Sequence, residues 1–192
     1  MQEDYIRFDR TKLKAVVHFI CDRCDPTELG NVKLHKILYF ADMMKYAGSG
    51  EPLTGVDYVK QQFGPVARHL SAVLTELTTE KKREIESKDY FGFEKKQYTS
   101  ISDPELSLFS NLDIQLLIDV IEFVCGRSAK AISELSHDIA WKTAYMGERI
   151  PYAAALAMQP VEITDEDIAC AADEAKRIWP MIEAEHRASS LI

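Results

Sequence analysis

Apolar residues Leu13, Val16, Val17, Ile20, Cys21 and Cys24 recur at i, i+3, i+4, i+7, i+8 and i+11. That spacing predicts one face of an amphipathic α-helix. Asp9 is placed to cap it, and Phe8 and Leu13 are placed for a hydrophobic staple. Asp25-Pro26 ends it, because the residue before a proline avoids helical geometry. On this helix Cys21 and Cys24 share the apolar stripe, and His18 falls toward the polar side. A second helix is expected from Val32 to about Tyr46, capped by Asn31. Leu34, Ile37, Leu38, Ala41 and Met44 form one stripe; Tyr39, Met43 and Tyr46 form another beside it, with Phe40 adding to both. Only Lys33, Lys36 and Lys45 call for water, so this helix belongs at the centre of a core. Gly48-Ser49-Gly50 stops it.

A connector follows over 48–65, with an extended piece from Asp57 to Gln62 and a turn at Phe63-Gly64-Pro65. Pro65 suits the first position of a helix, where a missing N–H costs nothing. Val66, Leu70, Val73, Leu74 and Leu77 then run at helical spacing. Arg83–Lys88 and Phe93–Thr99 flank Asp89-Tyr90-Phe91-Gly92 and read as a β-hairpin. Asp103-Pro104-Glu105 is a helix start. A longer helix carries Ile114, Leu117, Ile118, Ile121 and Val124, and Gly126 closes it. Ser128 caps the next, to about His137, and Asp138 caps a brief helix holding Trp141. Tyr152–Met158 is alanine-rich and helical in propensity. Thr164-Asp165-Glu166-Asp167 places acid in the first turn of a last helix, whose stripe is Ile168, Ala171, Ala172, Ala175 and Ile178; Pro180 ends or kinks it. The expected fold is mainly α: a compact multi-helix domain with a small β-hairpin, without repeat or linker, over residues 1–192.

Composition narrows the class. The chain is 46% hydrophobic and 28% charged, the profile of a globular protein with a full core of its own. Its longest run without charge, Ile150 to Val161, is 12 residues, too short to span a membrane. The start, Met1-Gln2-Glu3-Asp4, does not resemble a signal peptide, so a cytoplasmic location is expected. Residues 1–100 carry a net +1 (16 basic, 15 acidic) and residues 101–192 a net −9 (7 basic, 16 acidic). This balance weighs against bulk binding to a nucleic-acid backbone. The basic run Lys81-Lys82-Arg83 lies between Glu80 and Glu84 and reads as a solvated turn.

Catalytic signatures are missing. Cys21 and Cys24 make a lone C-x-x-C, while Cys125 and Cys170 stand apart, so no paired zinc ligands arise and the cysteines read as structural. No glycine-rich phosphate loop, H-E-x-x-H or G-x-S-x-G occurs. Ser136-His137-Asp138 are adjacent in sequence and cannot converge as a triad by themselves. No enzyme, metal or cofactor is therefore expected. His137 and Trp141 are four apart and would stack on a continuous helix. His35, Tyr39 and Asp42 share a face, the pattern of a buried polar seam whose members satisfy one another's neighbours. Two helices, a third over 66–79 and a hairpin over 83–99 follow the order of a winged helix. In that alternative reading, a DNA-binding regulator, Arg68, Lys81, Lys82 and Arg83 would meet the duplex. The helix face of His69, Ser71, Thr75 and Glu76 supports it poorly.

Several segments resemble a known family. Lys33-Leu34-His35-Lys36-Ile37-Leu38-Tyr39-Phe40-Ala41-Asp42 resembles the KLxKLLYFAD helix of the Panacea domain, found in SocA-like antitoxins and in proteins described as phage-associated. Gly50-Glu51-Pro52-Leu53-Thr54-Gly55 with Phe63-Gly64-Pro65-Val66 is similar to the family's GxPLTG and YGPV segments. Ser128-Ala129-Lys130, Leu135-Ser136-His137 and Trp141 are similar to its SAxxLSxLSHxxxxW stretch, and Ile150-Pro151-Tyr152 to its IPY. Phe63 replaces a usual Tyr, and His35 a common Asn or Gln. The likeness covers about 9–158 and leaves 159–192 as a C-terminal helical extension. It implies a mainly helical fold with a small β element, no enzyme activity, and neutralisation of a cognate protein toxin. A SocA-like member can do this by delivering the toxin to an ATP-dependent cytoplasmic protease. An acidic chain suits a basic partner, and exposed aromatics supply hot spots. The candidate partner-binding residues are Tyr39, Phe63, Gly64, Pro65, Val66, His137, Trp141 and Tyr152, centred on a groove between the Phe63 turn and the His137–Trp141 junction.

Overall fold

A computed structural model describes residues 6–90, 93–158, 173 and 176–179. The chain divides into two compact units, Met1–Gln159 and Pro160–Ile192. The first unit holds α1 (Arg10–Arg23), α2 (Asn31–Ser49), β1 (Tyr58–Gln61), β2 (Gly64–Ala67) and α3 (Leu70–Thr79). The hairpin β3 (Arg83–Tyr90) and β4 (Phe93–Ser100) follows. Then come α4 (Asn111–Cys125), α5 (Ala129–Leu135), α6 (Ile139–Thr143), β5 (Arg149–Ile150) and a 3₁₀ segment, Tyr152–Met158. The fold is mainly α with two small antiparallel sheets, β2-β1-β5 and β3-β4.

Helix α2 is the central element. Leu34, Ile37, Leu38 and Tyr39 are fully or almost fully buried, and α1, α4, α5, β2 and the 3₁₀ segment pack around it. Its start differs from expectation: Gly30 holds the cap position and Asn31 is already helical. Gly50, at φ 76°, ends it in the left-handed region, where its N–H reaches Tyr46 O at 2.8 Å. Two of the three lysines expected in water are inside. Lys33 is buried, bonded to Glu28 (2.9 Å) and to Cys125 O (3.2 Å), and Lys36 is 1% exposed. Met44, expected in the core stripe, is outside. A helix covered on nearly every side leaves no solvent face for its lysines, so their amines must find carbonyls or carboxylates.

Helix α1 is capped by Asp9, which accepts from Lys12 N at 3.0 Å. His18, expected toward the polar side, is buried and bonded to Ser100 Oγ at 3.1 Å, because β4 covers that side of the helix. Burial pulls its pKa below the ordinary histidine value.

Pro65 does not start a helix. It lies on β2 opposite Lys60, in the register Tyr58↔Ala67 to Gln61↔Gly64. β2 is an edge strand, the position in a sheet that tolerates a residue without an N–H. Helix α3 begins only at Leu70, after His69 breaks the chain at φ 63°. The helix expected at Asp103 is also missing. Glu105 instead accepts from Ser107 N at 2.9 Å, a local turn that competes with a helix. Ser110 and Asp113 then form a capping box for α4. The expected hairpin forms, but its pairing runs from Arg83↔Ser100 through Tyr90↔Phe93, so Asp89 and Tyr90, expected in the turn, are strand residues. Most of the last expected helix lies outside the described residues. Asp173 and 176–179 are helical, and Lys176 bonds Asp173 at 3.2 Å. Among the described residues no helix is long and apolar enough to cross a membrane.

Asp42 joins the layers of the first unit. Its fully buried carboxylate accepts from Thr54 N (2.8 Å), Thr54 Oγ1 (2.6 Å), Tyr58 OH (2.8 Å) and Tyr152 OH (3.1 Å). One side chain of α2 thus fixes the loop before β1, β1 itself and the 3₁₀ segment. Burial raises its pKa, while the bonds from Thr54, Tyr58 and Tyr152 pull it down. Asp42→Ala strands several buried donors at ~1–3 kcal/mol each. Urea unfolding is expected to show a loss of about 3 kcal/mol or more, and a loss below about 1 kcal/mol would contradict the role given to this carboxylate.

Candidate functional site

The turn between β1 and β2 is held from beneath by three helices. Trp141 Nε1, from α6, donates to Gln61 O at 3.1 Å. Ser133 Oγ, from α5, donates to Phe63 O at 2.8 Å. Lys36 Nζ, from α2, donates to Pro65 O at 2.9 Å. Three alternate carbonyls of one five-residue segment therefore carry side-chain donors from three different elements. Gly64 sits between them at φ 96°. A Cβ there would lie 2.5 Å from Lys36 Nζ and would collide with Ser136 Oγ. Only glycine satisfies both the backbone conformation and the close approach.

A second layer supports the first. Ser136 Oγ, fully buried, donates to Ser133 O at 2.7 Å. Asp138 caps α6 by accepting from Trp141 N at 2.9 Å, and its other oxygen accepts from Tyr39 OH at 2.9 Å. Burial pushes the Asp138 carboxyl above its usual range, opposed by the bonds from Trp141 N and Tyr39. The His137 ring stacks on Trp141 with centroids 3.9 Å apart and planes 17° from parallel. The stack forms, but not on one helix: α5 ends at Leu135, and the two rings meet across the α5–α6 junction. His137 Nε2 is buried and without a partner among the described residues. Burial lowers its pKa, and Lys36 adds to the effect. Lys60 Nζ lies 4.0 Å from the Trp141 ring centroid and donates to Ala144 O at 2.9 Å.

The expected site residues thus separate into displayed and supporting groups. Phe63 is 66% exposed. Val66, His137 and Trp141 are half-buried, while Gly64 and Pro65 are buried. Tyr39 and Tyr152, expected to touch a partner, are interior: Tyr39 holds Asp138, and Tyr152 OH bonds Asp42 and Val56 O. They support the surface rather than form it, because both hydroxyls are used by buried acceptors. The His35–Tyr39–Asp42 face is a satisfied seam. His35 Nδ1 accepts from Ala67 N at 3.1 Å, and burial drops its pKa to about 4.

Lys36 and Ser133 were missed. For Lys36 a signal was present: it lies within the apolar run of α2, one turn before Tyr39 and Phe40. Tyr145 and Met146, both exposed, were not singled out as a pair. Their loop is tied to β1 by Gly147 N to Lys60 O and Lys60 N to Glu148 O, each 2.9 Å.

The residues proposed for a duplex do not form a basic face. Arg83 is 1% exposed. Its Nη2 donates to Leu74 O (2.6 Å) and Thr78 Oγ1 (2.9 Å), and its guanidinium lies 4.9 Å from the Tyr98 ring centroid. It caps α3 internally and cannot meet a phosphate. Lys82 pairs with Glu80 at 3.1 Å. Lys81 and Arg68 are exposed. Glu76 of α3 and Glu80 at its C-cap are engaged by Arg10 and Lys14 of α1. Among the described residues no cluster of three His, Cys, Asp or Glu could hold a metal.

Burial lowers the Lys36 pKa to about 8, with Asp138 opposing it, against ~10.4 in an unfolded chain. Between those values the unfolded chain binds more protons, so this residue makes stability rise with pH across that window and leaves it flat below it. The rise reaches about 3 kcal/mol at ~1.4 kcal/mol per pH unit. Urea unfolding of the wild type and Lys36→Met at pH 7, 8, 9 and 10 should show the wild type gaining on the variant only above pH 8. A constant difference would contradict the burial of this amine.

The family model for SocA-like antitoxins, Panacea domain, matches residues 34–142. The match is narrower than the 9–158 expected from the motifs, and it contains the β1–β2 turn and every side chain that holds it. No curated protein and no solved structure matches the chain. With more than half of its residues inside that match, and with the matched segments converging on one turn, the chain belongs to the SocA-like antitoxin family through its Panacea domain.

Proposed function

We propose that this chain neutralises a cognate protein toxin by binding it directly, with Phe63 at the centre of the contact. Family membership supports a general antitoxin role and, with it, a partner toxin. The observation that carries the finer reading is an exposed aromatic on a turn whose carbonyls are held from three helices. A side chain on a pre-ordered backbone loses little entropy on binding, and aromatic anchors dominate interface energetics. Half-buried Trp141 lies beneath the same turn, and the loop bonded to Lys60 displays Tyr145 and Met146. The chain's net charge of −8 speeds encounter with a basic toxin surface. This is a binding protein rather than a catalyst, and it acts in the cytoplasm on a toxin made there. The complex ends in one of two ways: the toxin's active surface stays covered, or the toxin passes to an ATP-dependent protease.

Co-expression with the product of the adjoining reading frame tests the reading. A stable complex and rescued growth are expected. Phe63→Asp should weaken the complex by roughly 100-fold, the size of a strong hot spot, with the thermal midpoint unchanged because the side chain packs no core. A variant that binds and rescues like the wild type would overturn the assigned face, and absence of any complex would overturn the pairing. Toxin lifetime separates the two endings. Rapid loss of toxin that stops in protease-deficient cells marks delivery, and a long-lived, inactive toxin marks blocking.

A further inference from the structure

The sulfurs of Cys24 and Cys125 lie 3.4 Å apart and share a hydrogen bond. Cys24 is the C-cap of α1, and Cys125 is the last residue of α4, so two helix ends 101 positions apart in sequence meet through thiols. Both cysteines are free. Cys24 is buried and Cys125 half-buried, so a solute reaches Cys125 first. The Lys33 ammonium lies beside the pair, donating to Cys125 O at 3.2 Å and to Glu28 at 2.9 Å.

With the shared proton on Cys24, the two thiols differ in character. The bond from Cys24 pulls the Cys125 thiol below its usual value, and Lys33 helps, against burial and Glu28. The same bond, with burial, pushes the Cys24 thiol up. Cys21, one turn earlier on α1, is buried and pushed up to about 12. Cys125 thus has the exposure of an attacking cysteine, and Cys24 lies in contact as its resolving partner.

We infer that Cys24 and Cys125 form a reversible disulfide that staples α1 to α4, with a small-molecule disulfide such as oxidised glutathione as the oxidant. The Cys125 thiolate attacks one glutathione sulfur. A Cys125–glutathione bond forms, the glutathione S–S bond breaks, and one glutathione thiolate leaves. Cys24 gives its proton to that thiolate and attacks Cys125 Sγ. The protein disulfide forms, the mixed bond breaks, and a second glutathione thiolate leaves and takes a proton from water. Two protein thiols lose two electrons, and one glutathione disulfide gains them. The sulfurs must close by about 1.4 Å to reach the usual ~2.05 Å bond length. Cys24 is the extended C-cap of α1, at φ −88° and ψ 141°, and its N–H closes the helix on Ile20 O at 3.0 Å, so the closure falls to the side chains and to the end of α4. The staple also fixes the segment that leads from α4 into α5, the helix that holds Phe63 O.

The test uses the full chain, equilibrated in reduced or oxidised glutathione, alkylated and mapped by peptide mass spectrometry. In the oxidised buffer the expected product is a crosslinked Cys24–Cys125 peptide, reversed by dithiothreitol. It should come with a thermal midpoint roughly 5–15 °C higher, as for a staple across a long loop. Cys125→Ser and Cys24→Ala should each abolish both effects, and Cys21→Ser should keep both. A stable glutathione adduct on Cys125 alone, a bridge to Cys21 or Cys170, or a midpoint rise that survives Cys24→Ala would overturn the inference. Should a variant fail to fold, peptide mapping of the wild type decides the pairing by itself.

Discussion

The first unit depends on a carboxylate buried without exposure to solvent. Asp42 projects from the central helix α2 and takes four donors from Thr54, Tyr58 and Tyr152. Burying a carboxyl is costly, and the cost is tolerable only where its lone pairs are filled. Filling them requires the loop before β1, β1 and the 3₁₀ segment to converge on one atom pair. The arrangement specifies how α2 sits against the small sheet, and the β1–β2 turn inherits its place from that contact. Tyr58 and Tyr152 also meet edge to face, so the same residues contribute apolar packing around the polar centre.

A second buried polar layer on α2 repeats this logic at the surface. Lys36 and Tyr39 reach outward to Pro65 O and Asp138, and Asp138 in turn caps the helix that carries Trp141. The turn at Phe63 therefore rests on a network in which each member orients the next. Such a network confers stiffness more than net stability, because each buried polar group returns in hydrogen bonds roughly what it loses in hydration. Phe63 can stand in solvent because its backbone does not rely on that side chain for its shape. Arg83 shows the opposite use of a polar residue: it fills carbonyl and hydroxyl acceptors at the end of α3 and leaves the surface without its charge.

Much of the fold was legible in the chain. The apolar stripes of α1, α2 and α4 and the caps at Asp9, Ser128 and Asp138 are set within a few residues, and the hairpin over 83–99 within one short stretch of chain. Local spacing carries them directly. The motifs around Phe63-Gly64-Pro65 and Ser136-His137 lie in segments that the fold brings together, though the chain does not tell their exposed members from their buried ones. Gly64 and Pro65 lie beneath the surface, and Tyr39 and Tyr152 are structural, since a residue's exposure depends on what lies across from it.

What only the tertiary structure decided follows from the same cause. Lys33, Lys36, His18 and Arg83 are polar residues on helices or turns, and the chain alone assigns such residues to water. Lys33, Lys36 and His18 are buried because a distant element covers each and offers an acceptor, Cys125 O, Pro65 O and Ser100 Oγ, while Arg83 at the start of β3 folds back on Leu74 O of the preceding helix. Pro65 reads locally as a helix start, yet pairing with β1 makes it an edge-strand residue. Cys24 and Cys125 read as unrelated until α1 and α4 meet. The sequence by itself determined most of the helices, several of their caps and the family motif, because those depend on near neighbours along the chain. Burial of the α1 and α2 polar residues, the β1–β5 pairing and the meeting of thiols depend on neighbours tens of residues away, so only the assembled structure decided them.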